Sequence, residues 1–200
     1  MRRTPDNLLL RRIRKLGLAR PRELGRLGIS RTRLLRLVRS GQVERRARGI
    51  YAVAGHGTTP MHALALVAKR VPGGVFCLLT ALRFHGLTTQ SPAEVWIALP
   101  SKARSPSLDY PRLRVARFSA AALRTGVEVH RLEGVEARVY SAAKTVADCF
   151  KFRNRIGIDV AVEALRDFTR KHRGGADDLA RCARICRVTR VMQPYLDALE

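Results

Sequence analysis

The stretch Gly28-Ile29-Ser30-Arg31-Thr32-Arg33-Leu34-Leu35-Arg36-Leu37-Val38-Arg39-Ser40-Gly41 decides the fold of the N-terminal part of the chain. Gly28-Ile29-Ser30 makes a tight turn, Ser30 is placed to cap a helix, and that helix runs to Ser40 before Gly41. At about 100° per residue, Leu34, Leu35, Leu37 and Val38 share one face of it. Thr32, Arg33, Arg36 and Ser40 fall opposite, with Arg39 on the flank. Upstream, Asp6 is positioned to cap a helix that carries Leu9, Ile13 and Leu16 and ends at Gly17. Pro21 suits the first position of a short second helix whose apolar side is Leu24 and Leu27. Two helices joined by about three residues with Gly in the turn form a helix-turn-helix. Downstream, Val43-Glu44-Arg45-Arg46 and Ile50-Tyr51-Ala52-Val53 are short β-prone runs around Ala47-Arg48-Gly49, which reads as a hairpin. The whole is a winged helix-turn-helix over residues 1–55. The plainer alternative is a three-helix bundle with solvated arginines, and the basic hairpin directly after the third helix weighs against it.

Charge points the same way. The 200 residues carry 39 Lys and Arg against 16 Asp and Glu, a net charge of +23. Most of these cations are Arg, whose planar fork suits phosphate and guanine better than an ammonium does. Residues 1–60 hold 16 cations and 3 acids (Asp6, Glu23 and Glu44), so the surplus is densest on the helix-turn-helix. Such a surplus calls for a polyanionic partner, most simply DNA or RNA, although a high-GC genome also inflates Arg. Arg or Lys interrupts every apolar run before the length of a membrane span. Leu8-Leu9-Leu10 meets Arg11 and Arg12 at once, which is not an export signal. Cys77, Cys149, Cys182 and Cys186 are too few and too unevenly spread for a disulfide scaffold, so the expected compartment is the cytoplasm.

Past the Gly/Thr/Pro run at residues 55–60, which reads as a linker, the pattern becomes mixed. A helix is expected over 61–70 with Leu64, Val67 and Ala68 inward, then an apolar run over 75–79 of ambiguous type. Thr80 is placed to cap a helix through His85. Strands follow at 95–99 and 113–118, then a hairpin from 127–132 and 135–140 around Glu133-Gly134. Ser141 caps a helix over 142–152, and helices around 158–172, 177–188 and 191–199 finish the chain. The expected fold class is therefore α+β: an N-terminal winged helix-turn-helix followed by a mixed α+β domain over residues 61–200.

Catalytic and metal signatures are weak. Cys182 and Cys186 share a helical face, but no second pair or histidine cluster accompanies them, and buried small residues in a reduced protein fit better than zinc. His85, in Phe84-His85-Gly86, reads as a packing residue at a helix end. Glu94 and Asp109 flank Lys102 without the compact spacing of a metal-dependent nuclease. Lys102, Arg104, Arg112, Arg114 and Arg117 form a second basic loop, either solvated or an auxiliary phosphate contact. No cofactor and no metal is expected, and no enzymatic activity.

Several phrases resemble the AbiEi family, the antitoxin and transcriptional-regulator component of bacterial abortive-infection (type IV toxin–antitoxin) systems. In the N-terminal part these are Gly28-Ile29-Ser30-Arg31, Leu37-Val38-Arg39-Ser40-Gly41 and Arg48-Gly49-Ile50-Tyr51. Further on they are Ala81-Leu82-Arg83-Phe84-His85-Gly86-Leu87-Thr88, Glu94-Val95-Trp96-Ile97-Ala98 and the run from Tyr140-Ser141-Ala142 to Cys149-Phe150. The resemblance implies a winged-helix DNA-binding domain and a larger domain with antitoxin activity. It also implies a nucleotidyltransferase-like toxin encoded next door, opposed without a stable complex, and repression of the shared operon through inverted repeats. It makes the segment of Lys144 and Asp148, an i, i+4 pair expected on the surface, a candidate antitoxin surface. Arg20-Pro21 departs from the acidic residue expected at the start of the second helix.

The expected DNA-binding set follows from the projection. Thr32, Arg33 and Arg36 reach base edges, Arg guanidinium pairing with guanine in the major groove, with Arg39 beside them. Ser30 and Arg31 anchor phosphate, Arg45, Arg46 and Arg48 lie along the backbone or minor groove as the wing, and Arg2 and Arg3 form a flexible arm. The alternatives are a metal-dependent nuclease with a basic N-terminal domain, and an RNA-binding accessory protein.

Overall fold

The computed structural model describes residues 6–55, 57 and 59–199; Arg2 and Arg3 lie outside them. The chain divides into two compact units, one of residues 1–72 with 130–137, the other of residues 73–129 with 138–200. The division thus falls later than the expected linker and takes a short piece from the middle of the chain into the first unit.

In the first unit, α1 spans Asp6–Leu16, α2 Pro21–Arg26 and α3 Arg31–Arg39. The hairpin strands are β1 (Val43–Ala47) and β2 (Ile50–Val53), antiparallel with Val43 opposite Val53 and a bulge between Arg45 and Ala47. A further helix, α4, covers His62–Arg70. Leu9, Ile13, Leu24, Ile29, Leu34, Leu37, Val43 and Val53 form one buried cluster. Ala19 pairs across β2, its N–H donating to the Tyr51 carbonyl at 2.8 Å and its carbonyl accepting from the Tyr51 N–H at 2.9 Å. That bridge ties the wing to the chain between α1 and α2. Lys69 of α4 donates to Glu23 of α2 at 2.7 Å. Burial pushes the Glu23 carboxyl up, but Lys69 and the Arg20 N–H more than offset it, leaving the group below its ordinary value.

In the second unit, β3 (Val75–Phe76) leads directly into α5 (Leu78–Phe84). The ambiguous apolar run at 75–79 is therefore strand and then helix. Thr80 is not the cap of α5 as expected, because the helix starts two residues earlier. Its buried hydroxyl accepts instead from the Trp96 N–H at 2.8 Å. Two more strands of this unit are β4 (Val95–Pro100) and β5 (Leu113–Phe118); β6 (Val127–Leu132) and β7 (Val135–Tyr140) follow, residues 130–137 of that hairpin counting with the first unit. A short helix, α6 (Ala120–Arg124), precedes β6. The sheet order is β5-β4-β3-β7-β6, with β4 parallel to β5, β3 antiparallel to β4 and parallel to β7. Then come α7 (Ala142–Lys151), α8 (Arg153–Ile156), α9 (Ile158–Lys171), α10 (Ala176–Cys186) and α11 (Thr189–Asp197). Residues 142–150 of α7 are all buried, so this helix is enclosed on every side. The α+β class is as expected, with a winged helix-turn-helix in front of a mixed sheet-and-helix unit.

Candidate nucleic-acid interface

The candidate site is built on α3. The Ser30 hydroxyl accepts from the Arg33 N–H at 3.2 Å and so caps the helix, satisfying one of its unpaired donors. Leu34 and Leu37 are buried and hold the helix against α1 and β1. Arg31, Thr32, Leu35, Arg36, Arg39 and Ser40 are exposed. This brings Arg31, Thr32, Arg36 and Arg39 to one outward surface. Leu35 departs from the expected inward face and is 49 % exposed. The buried arc is centred on Leu34 and Leu37, and Leu35 lies a full 100° step beyond it.

Arg33 does not stand free on that surface. Its Nε and Nη2 donate to Asp6 Oδ1 at 3.1 and 2.6 Å, and its side chain is mostly covered. Asp6, expected to cap α1, is the first described residue of that helix and binds the arginines of α3. Arg36 lies 3.9 Å from the other Asp6 oxygen yet stays 57 % exposed, so it remains available to a ligand.

The wing presents Arg45 and Arg48 to solvent. Arg46 is turned toward Glu44 at 3.1 Å and is largely covered, which removes it from the front rank of phosphate contacts. The Arg48 carbonyl accepts from the Arg70 guanidinium at 3.3 Å, steadying the turn while leaving the Arg48 side chain exposed.

Elsewhere the sequence expectations fare unevenly. In the second basic loop Arg117 is folded back, donating to the carbonyls of Pro100 and Ala103 at 3.1 and 2.6 Å and to Ser105 Oγ at 2.7 Å. Arg114 pairs with Glu94 at 3.1 Å and lies over the Trp96 ring at 5.1 Å. Lys102, Arg104 and Arg112 are exposed. His85 Nε2 is 2.7 Å from the Tyr140 carbonyl, as a packing residue at a helix end would be.

Lys144 and Asp148 form the expected i, i+4 pair but not on the surface: they are 0 % and 1 % exposed. Lys144 Nζ donates to both carboxylate oxygens, at 2.6 and 2.5 Å, and lies 4.2 Å from the Tyr140 ring centroid and 4.8 Å from that of Phe118. Cys186 Sγ donates to Asp148 Oδ1 at 3.2 Å. Burial raises the Asp148 carboxyl to about 6 in spite of Lys144 and Cys186, which pull it down. A pair this enclosed cannot itself touch a partner. Its setting explains why: Ala142, Ala143, Val146, Ala147, Cys149 and Phe150 surround it on α7, an apolar run that was readable in the sequence. Cys77, Cys149, Cys182 and Cys186 are all buried, and burial pushes each thiol up. Among the described residues no three His, Cys, Asp or Glu side chains are placed to hold a metal ion, and no helix is long and apolar enough to cross a membrane.

No curated protein matches the chain. Residues 7–54 match the family model described as "Transcriptional regulator, AbiEi antitoxin". The match takes in α1 to α3 and both wing strands, whereas the phrases between Ala81 and Phe150 fall outside it. Over the segment that builds the candidate interface, the chain is therefore similar to the AbiEi antitoxin transcriptional regulators.

Proposed function

We propose that this chain is a cytoplasmic, sequence-specific DNA-binding repressor and the antitoxin of a type IV toxin–antitoxin system. It binds inverted repeats in its own promoter, opposes a nucleotidyltransferase-like toxin from the same operon without a stable complex, and carries out no catalytic step. The observation that carries this reading is the outward surface of α3. Arg31, Thr32, Arg36 and Arg39 are exposed there, on the second helix of a helix-turn-helix inside the family-matched segment. A helix so placed enters the major groove, where guanidinium groups recognise guanine and a capped N-terminus favours phosphate. Arg45 and Arg48 of the wing supply backbone contacts that carry no sequence information.

A reporter fused to the DNA upstream of the gene tests the repressor role. Wild-type protein should silence it, and the double variant R36A/R39A should not, at equal protein levels. Silencing unaffected by both substitutions contradicts the assignment of α3. Co-expression of the adjacent toxin gene tests the antitoxin role separately: growth should be restored by the wild type and equally by R36A/R39A, because the α3 surface is assigned to DNA alone.

A further inference from the structure

An isolated exposed leucine on a protein surface needs no explanation. Leu35 is different because of what encircles it. It lies one turn from Arg31 on one side and from Arg39 on the other, with Thr32 and Arg36 completing the surround, all of them exposed. Burial on the opposite side of α3 is already complete through Leu34 and Leu37, so Leu35 contributes nothing to the core. In the groove reading of α3, cations around it meet phosphates and guanine edges. Among the groups that base pairs present in the major groove, the apolar one is the C5-methyl of thymine.

We propose that Leu35 is a specificity-determining residue that packs on a thymine C5-methyl, making the preferred DNA target one with a thymine beside the guanines read by Arg36 and Arg39. The proposal rests on the reading of α3 as the groove-entering helix. A branched aliphatic side chain cannot hydrogen-bond, so its discrimination is against bases lacking the methyl: cytosine, which also presents an unpaired N4–H donor, and uracil. Thr32 adds its own methyl one turn earlier on the same surface.

The test uses the full chain and a duplex recovered from a randomised pool by the wild-type protein. Each thymine is replaced in turn by deoxyuridine, which removes the methyl and nothing else. At one or two positions the wild type should bind about 3–5-fold more weakly, as expected for one buried methyl. L35A and L35Q should bind the thymine duplex more weakly by a similar factor and be indifferent to uracil at those positions. As Leu35 is half exposed, both variants should unfold at the wild-type denaturant midpoint. Equal responses of wild type and variants to uracil at every position overturn the proposal while leaving the groove reading intact. Failure of the wild type to enrich any duplex over scrambled DNA overturns the groove reading itself. Altered sedimentation of L35A with unchanged DNA discrimination assigns Leu35 to contact with a second copy and also overturns the proposal.

Discussion

Arg33 Nη2 donates to Asp6 Oδ1 at 2.6 Å and ties the first turn of α3 to the start of α1. With Arg36 3.9 Å from the second oxygen, the same carboxylate covers Arg33 and stands beside an Arg36 that stays on the outward surface. Replacing Asp6 by Asn removes that hold. Affinity for scrambled duplex at ~50 mM salt should rise several-fold, and the slope of log affinity against log salt should steepen by about one. A salt titration checks this, and an unchanged slope would show that Asp6 does not restrain the arginines.

Arg36 and Arg48 should fail differently. Arg36→Ala should cost about 1–3 kcal/mol at one operator position and relax the preference there. Arg48→Ala, on the wing, should weaken binding to every sequence alike and reduce the salt slope by about one. Binding to a panel of single-base operator variants separates the two patterns.

Lys144 is the most exacting residue of the second unit. Lys144→Met leaves Asp148 buried without its counter-charge and should destabilise the fold by about 3–5 kcal/mol. The double variant K144M/D148L removes both charges and should recover most of that loss, as read from urea unfolding. A double variant as unstable as the single one would contradict the account.

Asp148 also sets an unusual pH dependence. Its carboxyl is raised from 3.8 to about 6 by burial, so between these values the folded protein holds a proton that the unfolded chain has lost. Its contribution to stability therefore falls as pH rises through that window. Glu23 and Glu133 work in the opposite sense. Burial raises both carboxyls, but the Lys69 ammonium and Arg20 N–H at Glu23, and Thr59 and His62 at Glu133, bring them below 4.5. Their contribution is lost as pH falls. Unfolding free energies measured from pH 4 to 7 should show a more positive slope in D148N than in the wild type. Parallel curves would mean that Asp148 titrates alike in the folded and unfolded chain.

Gly17 adopts a φ of +63°, and a Cβ there would stand 1.6 Å from the Glu133 carbonyl oxygen. Gly17→Ala therefore faces both the left-handed penalty of about 1–2 kcal/mol and a backbone clash. The thermal midpoint should fall by well over what Gly28→Ala produces, since Gly28 also has a positive φ but open space around it.

Most of the N-terminal fold was legible in the sequence because its signals are local. Ser30 caps α3, Pro21 opens α2, and Arg48-Gly49 turns the wing, each through chemistry within a few residues. The second unit was harder. Thr80 looks like a cap by its position, and the Trp96 N–H it actually serves is sixteen residues away. The sites went wrong for related reasons. Helical projection placed Leu35 inside and Arg33 outside, because it contains no information about Asp6, which reaches α3 from twenty-seven residues upstream. The i, i+4 spacing of Lys144 and Asp148 identifies the pair, while the apolar residues on both sides of it mark burial and override the habit of charges to lie on surfaces.

The most direct test of the account is binding of the full chain to the DNA just upstream of its own gene, against scrambled DNA of the same length, at ~50 and ~200 mM salt. The account predicts that both affinities fall with salt and that the upstream DNA keeps an advantage of about 10³ or more at the higher concentration. Loss of that advantage, with both DNAs weakening together, would contradict sequence-specific recognition by α3 and reduce the charge of the N-terminal segment to a general affinity for polyanions.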